Sequence, residues 1–192
     1  MGLLNQSLLF RAVLAAGLLA TGGQARAWAQ SEAGSLEYQV KAAYLLNFTR
    51  YVEWPARSLP ADVPLELCIL GDDPFGGVID QAVQGRRSQG RIVTVRRIES
   101  DERAYSCHLV FVTDESWNRR RTLVANLTSR GVLTVGNSAQ FGREGGVIGF
   151  VISNETVRFV INEAAMERSG LRISSRMLSL AQQVHKTTGT PF

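Results

Sequence analysis

Between Leu36 and Glu53 the apolar positions Leu36, Val40, Tyr44, Phe48 and Val52 recur every four residues, and Leu45 and Tyr51 widen the stripe. That spacing predicts an amphipathic helix. Trp54-Pro55 closes it, because a residue before proline is driven out of the helical region. Leu65–Leu70 then reads as a short strand running into Gly71-Asp72-Asp73-Pro74-Phe75-Gly76, a turn that opens a helix toward Val83. Gly85 stops that helix, and Arg91–Arg97 alternates in the manner of a strand.

The second half repeats the theme. His108–Val112 is a nearly continuous apolar run, the pattern of a strand covered on both faces. A helix from Trp117 to Leu127 follows, ending near Arg130-Gly131, and Val132–Val135 is the next strand. Gly136-Asn137-Ser138 turns the chain into a short helical stretch reaching Phe141. Beyond Gly142–Gly146, the runs Val147–Ile152 and Thr156–Ile161 flank Ser153-Asn154-Glu155 as an antiparallel hairpin would. Two helices close the chain: Glu163–Arg168, stopped by Gly170, and Ser175 to about Lys186, with Met177, Leu178, Ala181 and Val184 on its apolar face. Strands separated by helices predict an α/β fold. The expectation is a single three-layer domain with a largely parallel sheet flanked by helices, right-handed crossovers and a C-terminal antiparallel hairpin at its edge.

The opening residues read differently. Arg11 precedes the apolar run Ala12–Ala20, and Thr21-Gly22-Gly23 breaks any helix there. The small-residue patterns Ala25-Arg26-Ala27 and Ala27-Trp28-Ala29 follow. Positive, then apolar, then small-x-small is a secretory signal, cut after Ala27 or Ala29. The run falls well short of the ~20 residues of a spanning helix. Residues 1–29 are thus expected to be removed and residues 30–192 to form the domain. No later segment is apolar enough to span a bilayer, so a soluble exported protein is expected.

Composition adds little to this and removes much. With 45% hydrophobic and 20% charged residues among 192, the chain is neither disordered nor low-complexity. The net charge of +4 falls to +2 once Arg11 and Arg26 are gone, leaving 19 basic residues against 17 acidic ones. That is too weak a basic balance for nucleic acid.

Export gives the two cysteines meaning. In an oxidising compartment the pair Cys68 and Cys107 points to a disulfide, contributing about 4 kcal/mol by loop closure; two separately buried thiols are the alternative. Two Cys make no zinc site unaided, and no metal or cofactor is expected. Asp72 and Asp73 sit where a strand meets a helix, and capping explains them. Cys107 and His108 would point to opposite faces of a strand and so form no nucleophile–base pair. Gly142–Gly146 enters a strand rather than a helix, which removes the context of a nucleotide fingerprint. Arg119-Arg120-Arg121 reads as a solvated helix face, and His185 as a solvated group on the last helix. No catalytic residue can be assigned.

Taken in order, several blocks carry a resemblance. Val40-Lys-Ala-Ala-Tyr-Leu-Leu-Asn-Phe-Thr-Arg-Tyr-Val-Glu-Trp-Pro55 opens the set, followed by Cys68-Ile-Leu-Gly71-Asp72, Asp73-Pro74-Phe75 and Cys107–Val112. Val132–Val135, Gly145–Phe150, Arg158–Asn162 and Gly170–Ser175 complete it. The chain resembles the YfiR family of periplasmic regulators over nearly all of its mature length.

The resemblance implies regulation rather than catalysis: a repressor that binds the periplasmic sensor domain of an inner-membrane diguanylate cyclase, lowering cyclic di-GMP and biofilm formation. An outer-membrane lipoprotein would relieve the inhibition, and homodimers are common in the family. The family's first cysteine pair falls on Cys68 and Cys107; the second pair of some members is missing here, so any redox role rests on the first. For the partner surface the expectation is the end of the opening helix, at Arg50, Tyr51, Glu53 and Trp54, with Tyr51 and Trp54 in the core as the other reading. The rival class is a periplasmic small-ligand binding protein with the Gly71–Gly76 turn as pocket floor.

Overall fold

A computed structural model describes residues 21–60 and 62–185. Residues 1–20, with the apolar run expected to belong to an export signal, lie outside the described residues, and so does Lys186. The chain divides into two compact units, residues up to Glu37 and residues from Tyr38 onward. The first helix, α1, spans Thr21–Tyr51 and enters both. It begins well before the expected Leu36, and Thr21-Gly22-Gly23 lies inside it rather than breaking it. The Ala, Gln and Glu of residues 24–33 are strong helix formers, and glycines in a first turn oppose them little.

In the unit from Tyr38 onward, an eight-stranded sheet holds the centre, in the order β10-β8-β7-β6-β5-β2-β4-β3. The strands are β2 (Leu65–Leu70), β3 (Arg87–Ser88), β4 (Arg91–Ile98), β5 (Leu109–Val112), β6 (Leu133–Gly136), β7 (Ile148–Ser153), β8 (Thr156–Asn162) and β10 (Gln183–His185). From β4 through β2, β5 and β6 to β7 all pairings are parallel. Strands β7 and β8 form the antiparallel hairpin. A two-stranded ribbon joins β1 (Val52–Glu53) to β9 (Arg172–Ile173). All four residues of β5 are buried, as a continuous apolar run in a covered strand requires.

The helical stretch 38–51 lies on one face and buries Ala42, Leu45 and Phe48 among Phe111, Phe150, Phe159 and Ile161. Phe48 meets Phe159 edge-on at 5.1 Å and stacks on Phe150 at 5.8 Å, geometries that ring quadrupoles favour. A second cluster holds Val110, Val112, Trp117, Leu123, Val124, Leu127 and Phe141.

Three elements depart from expectation. The helix expected over Trp117–Leu127 is two helices, α4 (Asp114–Arg119) and α5 (Arg121–Ser129). Between them Arg120 leaves the helical region at φ −121° and ψ 29°, and its guanidinium pairs with Asp101 at 2.5 Å and with the Glu99 carbonyl at 2.8 Å. The last helix among the described residues, α8 (Ser175–Leu180), ends at Leu180 rather than near Lys186. Gln183–His185 instead forms β10, parallel to β8, so the hairpin is not the edge of the sheet. The main-chain groups of β8 supply the reason: Gln182 N–H donates to the Phe159 carbonyl at 2.9 Å, and a helix there would leave that ladder open. The remaining helices are α2 (Gly77–Val83), α3 (Asp101–Ala104), α6 (Ala139–Arg143) and α7 (Glu163–Ser169), the last stopped by Gly170 at φ 70°.

Candidate functional site

Cys68 lies in β2, and Cys107 lies two residues before β5, the neighbouring parallel strand. Adjacent strands bring the sulfurs to bonding distance, 1.99 Å, with the Cα atoms 6.0 Å apart. The alternative of two thiols is therefore set aside. Both residues are buried, at 0% and 3% exposure, so solvent reductants have little access. Arg96 of β4 borders the bridge: its Nη2 lies 3.6 Å from Cys107 Sγ, 2.7 Å from Glu66 Oε2 and 2.6 Å from Ser106 Oγ. Glu66, Cys68 and Cys107 stand close enough to hold a metal ion, but sulfurs bonded to each other offer no thiolate.

His108 follows the bridge and turns inward. Its Nδ1 accepts the Glu66 main-chain N–H at 3.0 Å, which requires a ring unprotonated at that nitrogen. Burial pushes its pKa below the ordinary value, and the nearby Arg91 acts in the same sense, while Glu66 opposes both. Its partner is a backbone amide and its neighbour a disulfide, so no nucleophile–base pair forms.

The four residues expected to face a partner are brought together at the end of α1. Arg50 and Glu53 are exposed, and Tyr51 and Trp54 are half-buried. Glu53 pairs with Arg172 at 2.6 Å across the β1–β9 ribbon. Arg176 lies over the Tyr51 ring. Trp54 donates its indole N–H to the His108 carbonyl at 3.0 Å.

The Gly71–Gly76 turn is built differently from a helix cap. Asp73 Oδ1 accepts the Phe75 N–H at 2.7 Å, and its Oδ2 meets Arg97 at 2.9 Å. The residue that precedes α2 is Gly76, with no side-chain cap. Capping is thus replaced by a local Asp73 turn and an Arg97 clamp that also holds Asp80. Hydrogen bonding from Arg97 holds the Asp80 carboxyl below its usual range. In the Gly142–Gly146 segment, Gly146 packs against the Phe141 ring. Of the arginine run, Arg120 pairs with Asp101, Arg121 pairs with Glu144 beside Trp117, and Arg119 is exposed. His185 sits in β10 rather than on a helix.

One feature escaped the sequence. Lys41 is 1% exposed and donates to Asn137 Oδ1 from inside the core, with its ammonium 4.7 Å from the Tyr38 ring centroid. Its signal was there: Lys41 interrupts the spacing Tyr38, Lys41, Leu45, Phe48, Val52 on one helix face. A lysine is rarely buried without a polar partner. Among the described residues, no helix is long and apolar enough to cross a membrane.

Comparison with known proteins bears on these features. The profile described as YfiR/HmsC-like matches residues 38–182. Among solved structures, the ABC domain in complex with L-Trp from Streptococcus pneumonia aligns with TM-score 0.45 and 15% identity, covering 68% of this chain and 59% of that one. A conserved domain protein from Vibrio cholerae aligns with TM-score 0.48 and 9% identity, covering 68% and 57%. This chain therefore spans less than two thirds of either.

Proposed function

The chain belongs to the YfiR/HmsC-like family, and from that membership we propose that it acts as a periplasmic repressor of a membrane-bound diguanylate cyclase. The match over residues 38–182, which takes in the disulfide, every strand of the sheet but β10, and the 38–51 stretch of α1, is the observation that carries the reading. The buried disulfide supports residence in an oxidising compartment.

Repression here is stoichiometric binding. A repressor that binds the inactive arrangement of its partner more tightly shifts the population by no more than that differential affinity. The docking surface in this proposal is the end of α1. Arg50 and Glu53 present charge there, while Tyr51 and Trp54 are half-buried and keep part of their area at the surface. An outer-membrane lipoprotein that relieves repression and a homodimeric repressor complete the proposal.

The test is co-purification with the periplasmic domain of an inner-membrane cyclase from the same cell, followed by titration of the purified pair. A folded Arg50→Glu variant should bind at least about tenfold more weakly and raise cellular cyclic di-GMP. Full affinity in that variant, and in a folded Trp54→Ala variant, would remove the α1 surface. No retained cyclase or other membrane sensor would remove the repressor.

A further inference from the structure

In the strand order, the chain leaves β2 for β4 on one side and then crosses to β5 on the other. The boundary between β2 and β5 is thus where the winding reverses, and in open α/β sheets ligands bind in the crevice beyond the carboxyl ends of the strands at such a point. A cavity of about 250 Å³ lies at that place. Asp72, Asp73 and Pro74 wall it after β2, Thr113 after β5 and Asn137 after β6, with half-buried Tyr38 at the side and the fully buried Phe111.

The polar groups of this crevice are unequally committed. Asp73 is satisfied by Phe75 N–H and Arg97. By contrast, among the described residues no hydrogen bond involves the Asp72 carboxylate, and the Thr113 hydroxyl leaves α4 uncapped. Behind the wall, buried Lys41 fixes the Asn137 amide by holding its Oδ1, which turns Nδ2 toward the Tyr38 hydroxyl, 3.5 Å away. The crevice therefore offers an exposed carboxylate and a hydroxyl that no internal bond uses. The carboxylate disfavours a simple anion. Together the two suit groups that both donate and accept, the property of a hydroxyl. The Tyr38 ring offers an apolar face to the carbon skeleton that bears them.

We infer that the crevice between the ends of β2, β5 and β6 binds a small uncharged polyol of about monosaccharide size. Asp72 accepts hydroxyl protons, the Thr113 hydroxyl donates or accepts, the fixed Asn137 amide lends its second Nδ2 proton, and Tyr38 lies against the carbon skeleton. The site lies at the opposite end of the helical stretch 38–51 from Arg50, about 20 Å along the axis. A failure here therefore leaves the docking proposal standing.

The test uses the intact chain titrated with D-glucose, D-ribose and glycerol, and with acetate and glycine as charged controls, followed by backbone amide NMR and melting temperature. A saturable response to at least one, with shifts centred on Asp72, Thr113 and Asn137, is expected. Asp72→Ala and Thr113→Val remove groups with no internal bond, so the free variants should melt with the parent, and each should bind about tenfold more weakly. Three outcomes overturn the inference. One is no saturable response, or only a linear rise in melting temperature shared by the variants, which is the behaviour of an excluded osmolyte. Another is a response confined to acetate or to the free amino acid glycine. The last is binding that both variants leave unchanged.

Discussion

The indole nitrogen of Trp54 donates to the main-chain oxygen of His108, 3.0 Å away. The end of α1 is thereby tied to the segment that follows the disulfide, and Trp54 has a structural task whatever it contacts outside. Replacing Trp54 by Phe keeps a ring and deletes the bond, which should cost about 1 kcal/mol in urea unfolding. Trp54→Ala should cost about 2–3 kcal/mol, below the value for a fully buried Trp. Equal stability of the parent and the Phe variant would show the bond contributes nothing.

The disulfide closes a sequence separation of 39 residues. On the loop-entropy argument, Cys68→Ala with Cys107→Ala should lower unfolding stability by about 4 kcal/mol. Since both sulfurs are buried, reduction of the native protein by dithiothreitol should proceed at the rate of local opening. Thiol appearance measured by mass spectrometry should therefore accelerate steeply in sub-denaturing urea; a rate indifferent to urea would contradict this.

His108 makes stability depend on pH. Its folded pKa lies below the ordinary value of 6.5, so the unfolded chain takes up the proton first. The contribution is complete above about pH 6.5 and is lost as pH falls through that value toward the folded one. Urea midpoints measured from about pH 7.5 down to about pH 5 should fall, and His108→Gln should flatten that part of the slope. An identical slope in the variant would assign the effect to other groups.

The glycines separate by what surrounds them. A Cβ on Gly149 would stand 2.3 Å from the Ser138 carbonyl oxygen, which is backbone and cannot swing aside. Gly149→Ala should cost about 2 kcal/mol or more. At Gly77, the first residue of α2, nothing lies within 4 Å of that position, and Gly77→Ala should stabilise by up to about 1 kcal/mol. Thermal melts of the two variants should shift in opposite directions.

The alternation of strand and helix was legible because each long element carried its own period. Even there the helix face was rotated. Leu36, Val40 and Tyr44 are spaced by four, a step that advances about 40° around a helix of 3.6 residues per turn, so the line drifts off the core. Leu36 is 61% exposed, and Val40 and Tyr44 are only half-buried, whereas Lys41, Ala42 and Leu45 are inside. Strands β1, β3 and β9, two residues each, are too short to show alternation and exist through their partners. The cysteine pairing could be read from compartment chemistry. The meeting of Lys41 with Asn137, 96 positions apart, could not, because no local rule links them.

The three residues of β10 also guard the molecule against its own kind. They occupy one side of β8, whose buried Phe159, Val160 and Ile161 make it an apolar strand. A chain cut before Gln183 would bare that row of amides and carbonyls as a template for foreign strands. Shortened protein should form thioflavin-positive fibrils at concentrations where the full chain stays clear; clear solutions of both would mean the last strand is ornamental.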